Sequence, residues 1–269
     1  MNRKTAIITG ASHGIGRSVA IALAKNGYDV VVNYCNDAAG AEDTCVQARA
    51  FGGRAEAYRA DVSDNAELQG MFDWFDKEFG GLDLMVNNAG VSEFHPLLEV
   101  TEKQWEHVNG IDWKGTYFGT QFAARNMVAH GIQGVIINMS SNHVDACFPD
   151  ANIYAPCKAA VTTFTRNAAM ELSVHGIRVI AFAPGYTKVW SDDNPINKAM
   201  ERIITGRFAT PEEVAEVLVF LASDKCSYMT GNRITMDGGA LLPSVTENFW
   251  TGGQLLAQER RIYKEEQKK

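Results

Sequence analysis

Seven short apolar runs recur along the chain, and they restrict its fold more than any other feature of the sequence. They lie at residues 5–10, 29–33, 56–62, 82–90, 134–141, 177–185 and 232–239. Most are apolar almost throughout rather than alternating, which is typical of parallel strands covered on both faces. Segments with helical periodicity separate them. This order predicts an α/β fold, in which a doubly wound parallel sheet of about seven strands has helices on both faces and ligands at the carboxyl ends of its strands.

Two of the predicted helical segments, 101–130 and 152–175, are unusually long. The first contains Gly110, Gly115 and Gly119, although glycine costs helix stability. Their presence indicates close approach by another backbone. That backbone belongs either to the same chain or to a second subunit, and the sequence does not decide between them.

Size and charge limit the classes of protein to which the chain can belong. With 269 residues, of which 46% are apolar, it can bury one large core, and an α/β chain of this length is routinely a single domain. The net charge of −7 argues against a general attraction to nucleic acid or to anionic lipid, since both need a basic surface. We therefore expect neither nucleic acid nor a membrane as a partner.

Five scattered cysteines indicate reduced thiols rather than disulfides or a metal site. The sequence holds no C-x-x-C pair, and no histidine stands near a cysteine at metal-ligand spacing. The first apolar run is too short for a signal peptide or a membrane span. A cytoplasmic protein without a bound metal is expected.

A glycine-rich stretch, TGASHGIG, follows the first predicted strand and carries Gly10, Gly14 and Gly16. Glycine permits a tight turn, lets the backbone approach a pyrophosphate and leads into a helix whose N-terminal amides favour anions. The spacing G-x-x-x-G-x-G differs from the commoner G-x-G-x-x-G. The alternative is a tight turn without a ligand, but the position at the first strand–helix junction favours a dinucleotide.

Tyr154 and Lys158 stand four residues apart where a helix is predicted to begin, which places them on the same face. A free tyrosine has a pKa near 10 and is a poor base for an alcohol at neutral pH. A lysine charge about 5 Å away contributes roughly 3 kcal/mol at an effective dielectric of about 20, or about two pKa units. The pair is therefore either ordinary helix surface or a phenol made more acidic for proton transfer.

Taken together, the TGASHGIG, NNAG and Y-x-x-x-K motifs resemble those of the short-chain dehydrogenase/reductase family, in its compact single-domain branch. The resemblance covers residues 4–240 and implies a single Rossmann domain. It also implies interconversion of a secondary alcohol and a ketone by hydride transfer with NAD(H) or NADP(H). Residues 241–269 are then a C-terminal extension beyond that core, expected to cap the pocket or an interface.

The resemblance assigns catalytic roles to four residues. Tyr154 is the general acid/base, Lys158 makes its phenol more acidic and holds the nicotinamide ribose, and Ser141 orients the substrate oxygen. Ser141 stands 13 positions before Tyr154, as the family's serine does, whereas the neighbouring Ser140 is one position off. Asp112 is a departure, because the family usually has asparagine there. Its backbone carbonyl can still serve a water relay to Lys158, but an ionised carboxylate cannot donate a hydrogen bond.

The resemblance also implies which residues contact the cofactor. They are Gly10, Ser12, His13, Gly14, Ile15, Gly16, Tyr34, Asp61, Val62, Asn88, Ala89, Gly90, Tyr154, Lys158, Pro184, Gly185 and Thr187. Val189 stands where the family often has a threonine, and Thr187 is expected to compensate. For Asp61 the alternative is a carboxylate that begins a turn.

The choice between NADP and NAD depends on the end of the second strand. Tyr34 occupies the position of the acidic residue that binds the ribose hydroxyls of NAD, and the absence of that acid favours NADP. His13 and Cys35 stand where an arginine or a lysine would argue strongly for NADP. NAD therefore remains the alternative.

Substrate contacts are expected from residues 92–98, from 142–152 and from the loop after Gly185. That loop carries Trp190, Asp192 and Asp193 and is predicted to be a mobile lid. The SSNH and DGGALLP stretches resemble the glucose dehydrogenase-like branch, which favours a sugar or polyol.

A hydroxysteroid or a 3-oxoacyl thioester is the alternative substrate, since Phe94, Phe148 and Trp190 would suit a ring system. A cofactor-sensing regulatory protein is the alternative from another class, but it has no need of the complete set of catalytic residues.

In the family the two long helices pair with their copies in a neighbouring subunit. A homotetramer, or a homodimer, is therefore expected.

Overall fold

The seven apolar runs form one sheet in the computed structural model of the chain, which describes residues 3–192, 194, 197, 199, 200 and 203–242. The strands are β1 (Lys4–Ile8), β2 (Tyr28–Tyr34), β3 (Ala55–Arg59), β4 (Leu84–Asn87), β5 (Val135–Met139), β6 (Arg178–Pro184) and β7 (Arg233–Met236). They lie in the order β3-β2-β1-β4-β5-β6-β7, and every neighbouring pair is parallel. The direction of winding reverses between β1 and β4, so the predicted doubly wound sheet is confirmed. Most of the expected C-terminal extension, from residue 243 on, lies outside the described residues.

Helices connect the strands and cover both faces of the sheet. They are α1 (Gly14–Lys25), α2 (Ala38–Arg49), α3 (Asn65–Phe79), α4 (Glu102–Asn109), α5 (Thr116–Ala129), α6 (Tyr154–Leu172) and α7 (Pro211–Ala222). One apolar core lies beneath α1, α2 and α7, and a second lies beneath α3, α5 and α6. Successive residues of β1 join opposite cores, Ala6 and Ile8 the first and Ile7 the second. Burial on both faces is why the runs are apolar throughout.

Side chains at the helix ends explain where several helices begin and end. Asp64 accepts hydrogen bonds from two backbone N–H groups at the start of α3. Thr210 and Glu213 form a reciprocal cap at the start of α7, which has Pro211 in its first turn. Gly27 follows the end of α1 with a left-handed φ of +88°.

The segment 101–130 is two helices joined by a π-helical turn rather than one continuous helix. The turn spans Gly110–Gly115 between α4 and α5, and the Asp112 side chain within it is fully buried. Single π turns are frequent at functional sites because they displace one residue from the regular helical position. The second long segment forms α6 and a short 3₁₀ turn, Ser173–His175.

The glycines of the first long segment pack against the rest of the same chain. A Cβ on Gly115 would lie 2.9 Å from Val62 Cγ2, and a Cβ on Gly119 would overlap Asn87 Oδ1. The amide of Asn87 cannot move freely, because its Nδ2 donates to Thr120 Oγ1 and to Asn138 Oδ1. Intramolecular packing therefore accounts for Gly115 and Gly119.

We predict that Gly119→Ala lowers the free energy of unfolding by about 1 to 3 kcal/mol, because the added methyl group overpacks against Asn87. The matched control is Gly70→Ala in α3, where the nearest atom to the new Cβ is Tyr58 Oη at 3.8 Å. That exchange is expected to stabilise the protein by about 0.5 to 1 kcal/mol through helix propensity. Urea unfolding of both variants measures the difference, and equal stability of the two variants would contradict the packing account.

Candidate active site

The loop between β1 and α1 carries the predicted glycines, and its geometry requires them. Gly10 and Gly14 have left-handed φ angles of +61° and +57°. A Cβ on Gly16 would overlap the carbonyl oxygen of Gly10, so the loop can fold back tightly only without that side chain. Asn88 fixes the loop, since its Nδ2 donates to the carbonyl oxygens of Thr9 at 2.8 Å and Gly10 at 3.1 Å. The backbone amides at the start of α1 are thus left open to an anion.

A cavity of about 510 Å³ lies at the carboxyl ends of the central strands and includes this loop. The predicted cofactor residues that line it are Gly10, Ser12, His13, Gly14, Ile15, Gly16, Tyr34, Asp61, Val62, Asn88, Ala89, Gly90, Tyr154, Lys158 and Pro184. Asp112 lines it as well. The reversal of winding between β1 and β4 is where such a sheet is expected to bind a ligand.

Two of the predicted cofactor residues, Gly185 and Thr187, lie outside this lining. Gly185 packs against Asp237, whose Cα would lie 2.7 Å from a Cβ on the glycine. The buried Thr187 donates its hydroxyl hydrogen bond to the Gly185 carbonyl oxygen at 3.3 Å. Val189 lines the cavity beside Gly14 instead. The cofactor contact expected of Thr187 stays a prediction.

A buried ion pair lies at the base of the cavity next to Tyr154. Lys158 Nζ lies 2.8 Å from Asp112 Oδ1 and donates to the Met139 carbonyl oxygen at 3.1 Å. It also lies 5.5 Å from the centroid of the Tyr154 ring. The side chains of Lys158 and Asp112 are 4% and 0% exposed. Burial opposes the charge on the lysine, but Asp112 and then Tyr154 outweigh it, so the pKa of Lys158 is raised.

The two neighbouring serines have different environments. Ser140 Oγ donates to the Lys158 carbonyl oxygen at 3.1 Å and lies 2.7 Å from Thr162 Oγ1, so it ties β5 to α6. Ser141 Oγ instead accepts from the His143 backbone N–H and lies 3.2 Å from His143 Nδ1. The His143 ring in turn lies 5.3 Å from the Tyr154 ring, perpendicular to it. His143 thus contacts both Ser141 and Tyr154.

An aromatic cluster borders Tyr154 and consists of Phe94, His143 and Phe148. The His143 and Phe148 rings stack with centroids 3.7 Å apart, and Phe94 lies 5.8 Å from both His143 and Tyr154. Burial lowers the pKa of His143 to about 4, so its imidazole is neutral near pH 7. Sequence reasoning named the two phenylalanines, whereas His143 was included only as part of the predicted substrate segment 142–152 and of the SSNH stretch.

The far end of the cavity is formed by the residues that follow β2. Cys35, Asn36 and Asp37 line it after Tyr34, and Asp37 accepts the Gly40 N–H at 2.9 Å to cap α2. Sequence reasoning missed Asn36 and Asp37, although an acid before a helix is a recognisable cap. Burial raises the pKa of the Cys35 thiol, which is therefore neutral.

Asp61 begins a turn and also lines the cavity in which its contact with adenine is predicted. It lines the cavity, and its Oδ1 also accepts from the Ser63 N–H at 2.9 Å and the Ser63 hydroxyl at 2.7 Å. The carboxylate that would contact an adenine is thus fixed by the turn that it begins.

The predicted lid begins after β6 and is described only in part. Trp190 packs against Phe208 at 5.2 Å, and its Nε1 donates to Asn197 Oδ1. Asp192 pairs with Lys188, whereas Asp193 lies outside the described residues. The part that is described reaches the glycine loop through Val189.

The described residues contain neither a metal-binding cluster nor a membrane-spanning helix. No group of three or more histidine, cysteine, aspartate or glutamate side chains there is arranged to hold a metal ion. In the same part of the chain, no helix combines the length and apolar character that crossing a bilayer requires.

Comparison with known proteins places this geometry among oxidoreductases. The family model described as Enoyl-(Acyl carrier protein) reductase matches residues 10–240. The chain is 37% identical over 250 residues to 3beta-hydroxysteroid dehydrogenase 1 of Eggerthella lenta, which covers 89% of this chain and 94% of that protein. It is 35% identical over 251 residues to glucose 1-dehydrogenase 2 of Bacillus subtilis, with 91% and 97% covered.

Solved structures agree with the sequence relatives. A short-chain type dehydrogenase/reductase from Mycobacterium marinum superposes with a TM-score of 0.85 at 34% identity, over 89% of this chain and 96% of that one. A short chain dehydrogenase from Burkholderia cenocepacia in complex with NADP gives a TM-score of 0.84 at 30% identity, over 88% and 97%. The similarity therefore extends over the whole sheet and its helices.

Proposed function

This chain belongs to the short-chain dehydrogenase/reductase family, and we propose that it interconverts a cyclic secondary alcohol and its ketone with NADP as cofactor. Membership makes it an oxidoreductase that acts on CH–OH groups. One observation carries the finer proposal. Tyr154 and Lys158 line a cavity that begins at a glycine loop, and His143 connects Ser141 to Tyr154.

A dinucleotide suits the residues that line the cavity. Gly10 and Gly14 leave the backbone bare at the start of α1, where amides and helix dipole favour a pyrophosphate. Tyr154 and Lys158 border the end that would receive a nicotinamide and its ribose. When bound, the cofactor supplies or accepts the hydride.

Tyr154 and the side chains around it transfer the proton and hold the substrate oxygen. The Tyr154 hydroxyl gives a proton to the ketone oxygen or takes it from the alcohol. The Lys158 charge near the ring favours the phenolate that forms during alcohol oxidation. The Ser141 hydroxyl donates to the substrate oxygen as negative charge develops on it. His143 holds the Ser141 oxygen in place through its backbone N–H and its neutral ring.

We predict that Tyr154→Phe lowers kcat about 10²- to 10⁴-fold, the range typical of losing a general acid/base, while NADPH affinity changes little. Stopped-flow absorbance measures the rate, and quenching of intrinsic fluorescence measures cofactor binding. A variant with near-normal turnover would remove Tyr154 from the mechanism. Loss of NADPH binding would show that the exchange had damaged the cavity instead.

The preference for NADP over NAD is supported by the far end of the cavity. Tyr34 ends β2 where an acid would repel a 2′-phosphate. The nearest carboxylate after it, Asp37, is engaged at the N-terminus of α2. His13 and Asn36 offer polar groups on the same wall. A solved relative at 30% identity binds NADP.

A substrate with a flat apolar face is supported by the aromatic cluster. Phe94, His143 and Phe148 present ring faces and edges beside Tyr154, and the His143 imidazole is uncharged. An open polyol would need several free polar partners. Of the polar side chains near this cluster, Asp145 is already paired with Arg233. Among the relatives, the hydroxysteroid dehydrogenase therefore suggests the substrate class better than the glucose dehydrogenase does.

A panel of substrates tests cofactor and substrate together. The chain is assayed by nicotinamide absorbance with a steroid ring ketone, a 3-oxoacyl thioester, glucose and an open-chain polyol, each with NADP(H) and with NAD(H). We predict that the ring ketone with NADPH gives kcat/KM at least about tenfold above every other pair, or about 1.4 kcal/mol. A higher kcat/KM for glucose than for the ring ketone would support a sugar substrate instead. Cofactor binding without turnover of any substrate would favour a regulatory protein.

Two variants test the substrate preference and the cofactor preference separately. Phe148→Ala is expected to raise KM for the ring ketone while leaving the affinity for NADPH unchanged, because the phenyl ring stacks on His143. Tyr34→Asp is expected to shift the cofactor preference toward NADH while leaving KM for the ketone unchanged. Each variant is thus the control for the other.

A homotetramer is supported by apolar side chains on the outer faces of α5 and α6. Tyr117 and Val128 on α5 and Met170 on α6 are 37%, 41% and 69% exposed. A groove between the two helices, lined in part by Phe164, adjoins them. We predict that multi-angle light scattering gives a mass four times that of the chain. A monodisperse monomer would reject this assembly, and a dimer would limit pairing to one face.

A cytoplasmic location is supported by the cysteines. All five are unpaired, and the exposed Cys147 has no disulfide partner. Thiols of this kind persist in a reducing compartment. Cell fractionation that recovered the chain outside the cytoplasm would contradict this assignment.

A further inference from the structure

We infer that Asp112 is a positioning residue that holds Lys158 by a direct buried ion pair and thereby sets the pH range in which the enzyme works. This inference rests on the proposed function, because it concerns the lysine beside the proposed acid/base Tyr154. The expectation from sequence was a water relay served by the Asp112 backbone carbonyl.

The backbone carbonyl of Asp112 is already engaged. It accepts the Thr116 hydroxyl hydrogen bond at 2.9 Å, at the junction between the π turn and α5. The side chain, by contrast, reaches into the base of the cavity, where the π turn places it. The carboxylate rather than the carbonyl is therefore the part of Asp112 that meets Lys158.

The carboxylate serves two partners at once. Its Oδ2 accepts the Val91 backbone N–H at 3.0 Å, and its Oδ1 lies 2.8 Å from Lys158 Nζ as an ion pair without the alignment of a hydrogen bond. A Cβ on Gly90 would lie 2.8 Å from that Oδ1 and 3.2 Å from Nζ. Gly90 thus closes over the pair, and the two charged atoms are in contact with no room for a molecule between them.

The carboxylate also changes the charge that Tyr154 experiences. Of the titratable groups packed around the pair, the Cys157 thiol is neutral, because burial and then Asp112 raise its pKa to about 11. His143 on the turn after β5 is neutral too, and His107 on α4 faces Glu93 at 3.4 Å. Asp112 is therefore the anion that offsets the Lys158 charge. Its removal leaves the cation alone beside the phenol.

The test is the pH dependence of alcohol oxidation by Asp112→Asn, an exchange that keeps the shape and removes the charge. The phenolate is then favoured by an uncompensated cation, so the acid limb of kcat/KM is expected to move about one pH unit or more to lower pH. The buried lysine also loses its proton more readily, so the basic limb moves the same way. Asp73→Asn, on the exposed face of α3, is the charge-matched control and should move neither limb.

The pH profiles distinguish a role of the Asp112 charge from a purely structural role. A purely structural role of Asp112 predicts lower activity at every pH with both limbs unmoved, and that result would overturn the proposal. A shift toward higher pH would overturn it too. If Tyr154→Phe retained normal turnover, the proposed function would fail by itself, and the ion pair would then be judged by a measurement that needs no catalysis.

That measurement is a double-mutant cycle on the urea midpoint of the chain without cofactor, using Asp112→Asn, Lys158→Met and both together. A direct pair predicts that the double variant loses less than the sum of the single losses, because each single variant leaves one partner buried alone. A double variant that folds when Asp112→Asn does not would support the pair as well. Additive losses would reject it.

The pH dependence of that urea midpoint shows in which direction Asp112 shifts the pKa of Lys158. In the unmodified chain the pKa of Lys158 is higher in the folded state than in the unfolded state. The stabilisation that results is therefore complete below the pKa of the unfolded state, and it is lost only as the pH rises through the pKa of the folded state. In Asp112→Asn the lysine is buried without an anion, so the folded protein gives up its proton first. The loss of stability caused by Asp112→Asn should therefore shrink as the pH rises from 7 toward 10. A loss that stayed constant would contradict the ion pair.

Discussion

Helices cover the central strands on both faces, so the carboxyl edge of the sheet is where their polar backbone and a ligand can meet. The winding reverses between β1 and β4, and the loops that follow these two strands separate there. The glycine loop after β1 and the NNAG segment after β4 face each other across that gap, joined by the Asn88 amide. The location of the cavity thus follows from the burial of the strands.

Buried polar side chains hold the catalytic half of this edge rigid. Asn87 of β4 bonds Asn138 of β5 at 2.8 Å, and Asn138 bonds Thr165 of α6 at 3.1 Å. Ser140 then bonds the Lys158 backbone, about two helical turns before Thr165. Polar groups buried in this way are mostly hydrogen-bonded, because an unpaired one is costly. The same bonds therefore fix α6, and with it the proposed acid/base, relative to the sheet.

Features that depend on neighbouring residues in the chain were readable from the sequence. The seven strands, the glycine loop and the face shared by Tyr154 and Lys158 are of this kind. The π turn could not be predicted, because it reflects packing of Asp112 and Gly115 against distant loops rather than local propensity. The environment of His143 was hidden for the same reason, since its ring is packed by aromatic residues from two other segments.

The carboxylate at position 112 does what an amide could not do. The Val91 N–H from the loop after β4 donates to its Oδ2, and the Lys158 ammonium from α6 forms an ion pair with its Oδ1. The amide oxygen of an asparagine could accept from the Val91 N–H, but an uncharged side chain could not form the ion pair. Buried ion pairs seldom stabilise a fold more than apolar packing would. The pair at Asp112 is therefore better explained by the place and charge it gives to Lys158 than by stability alone.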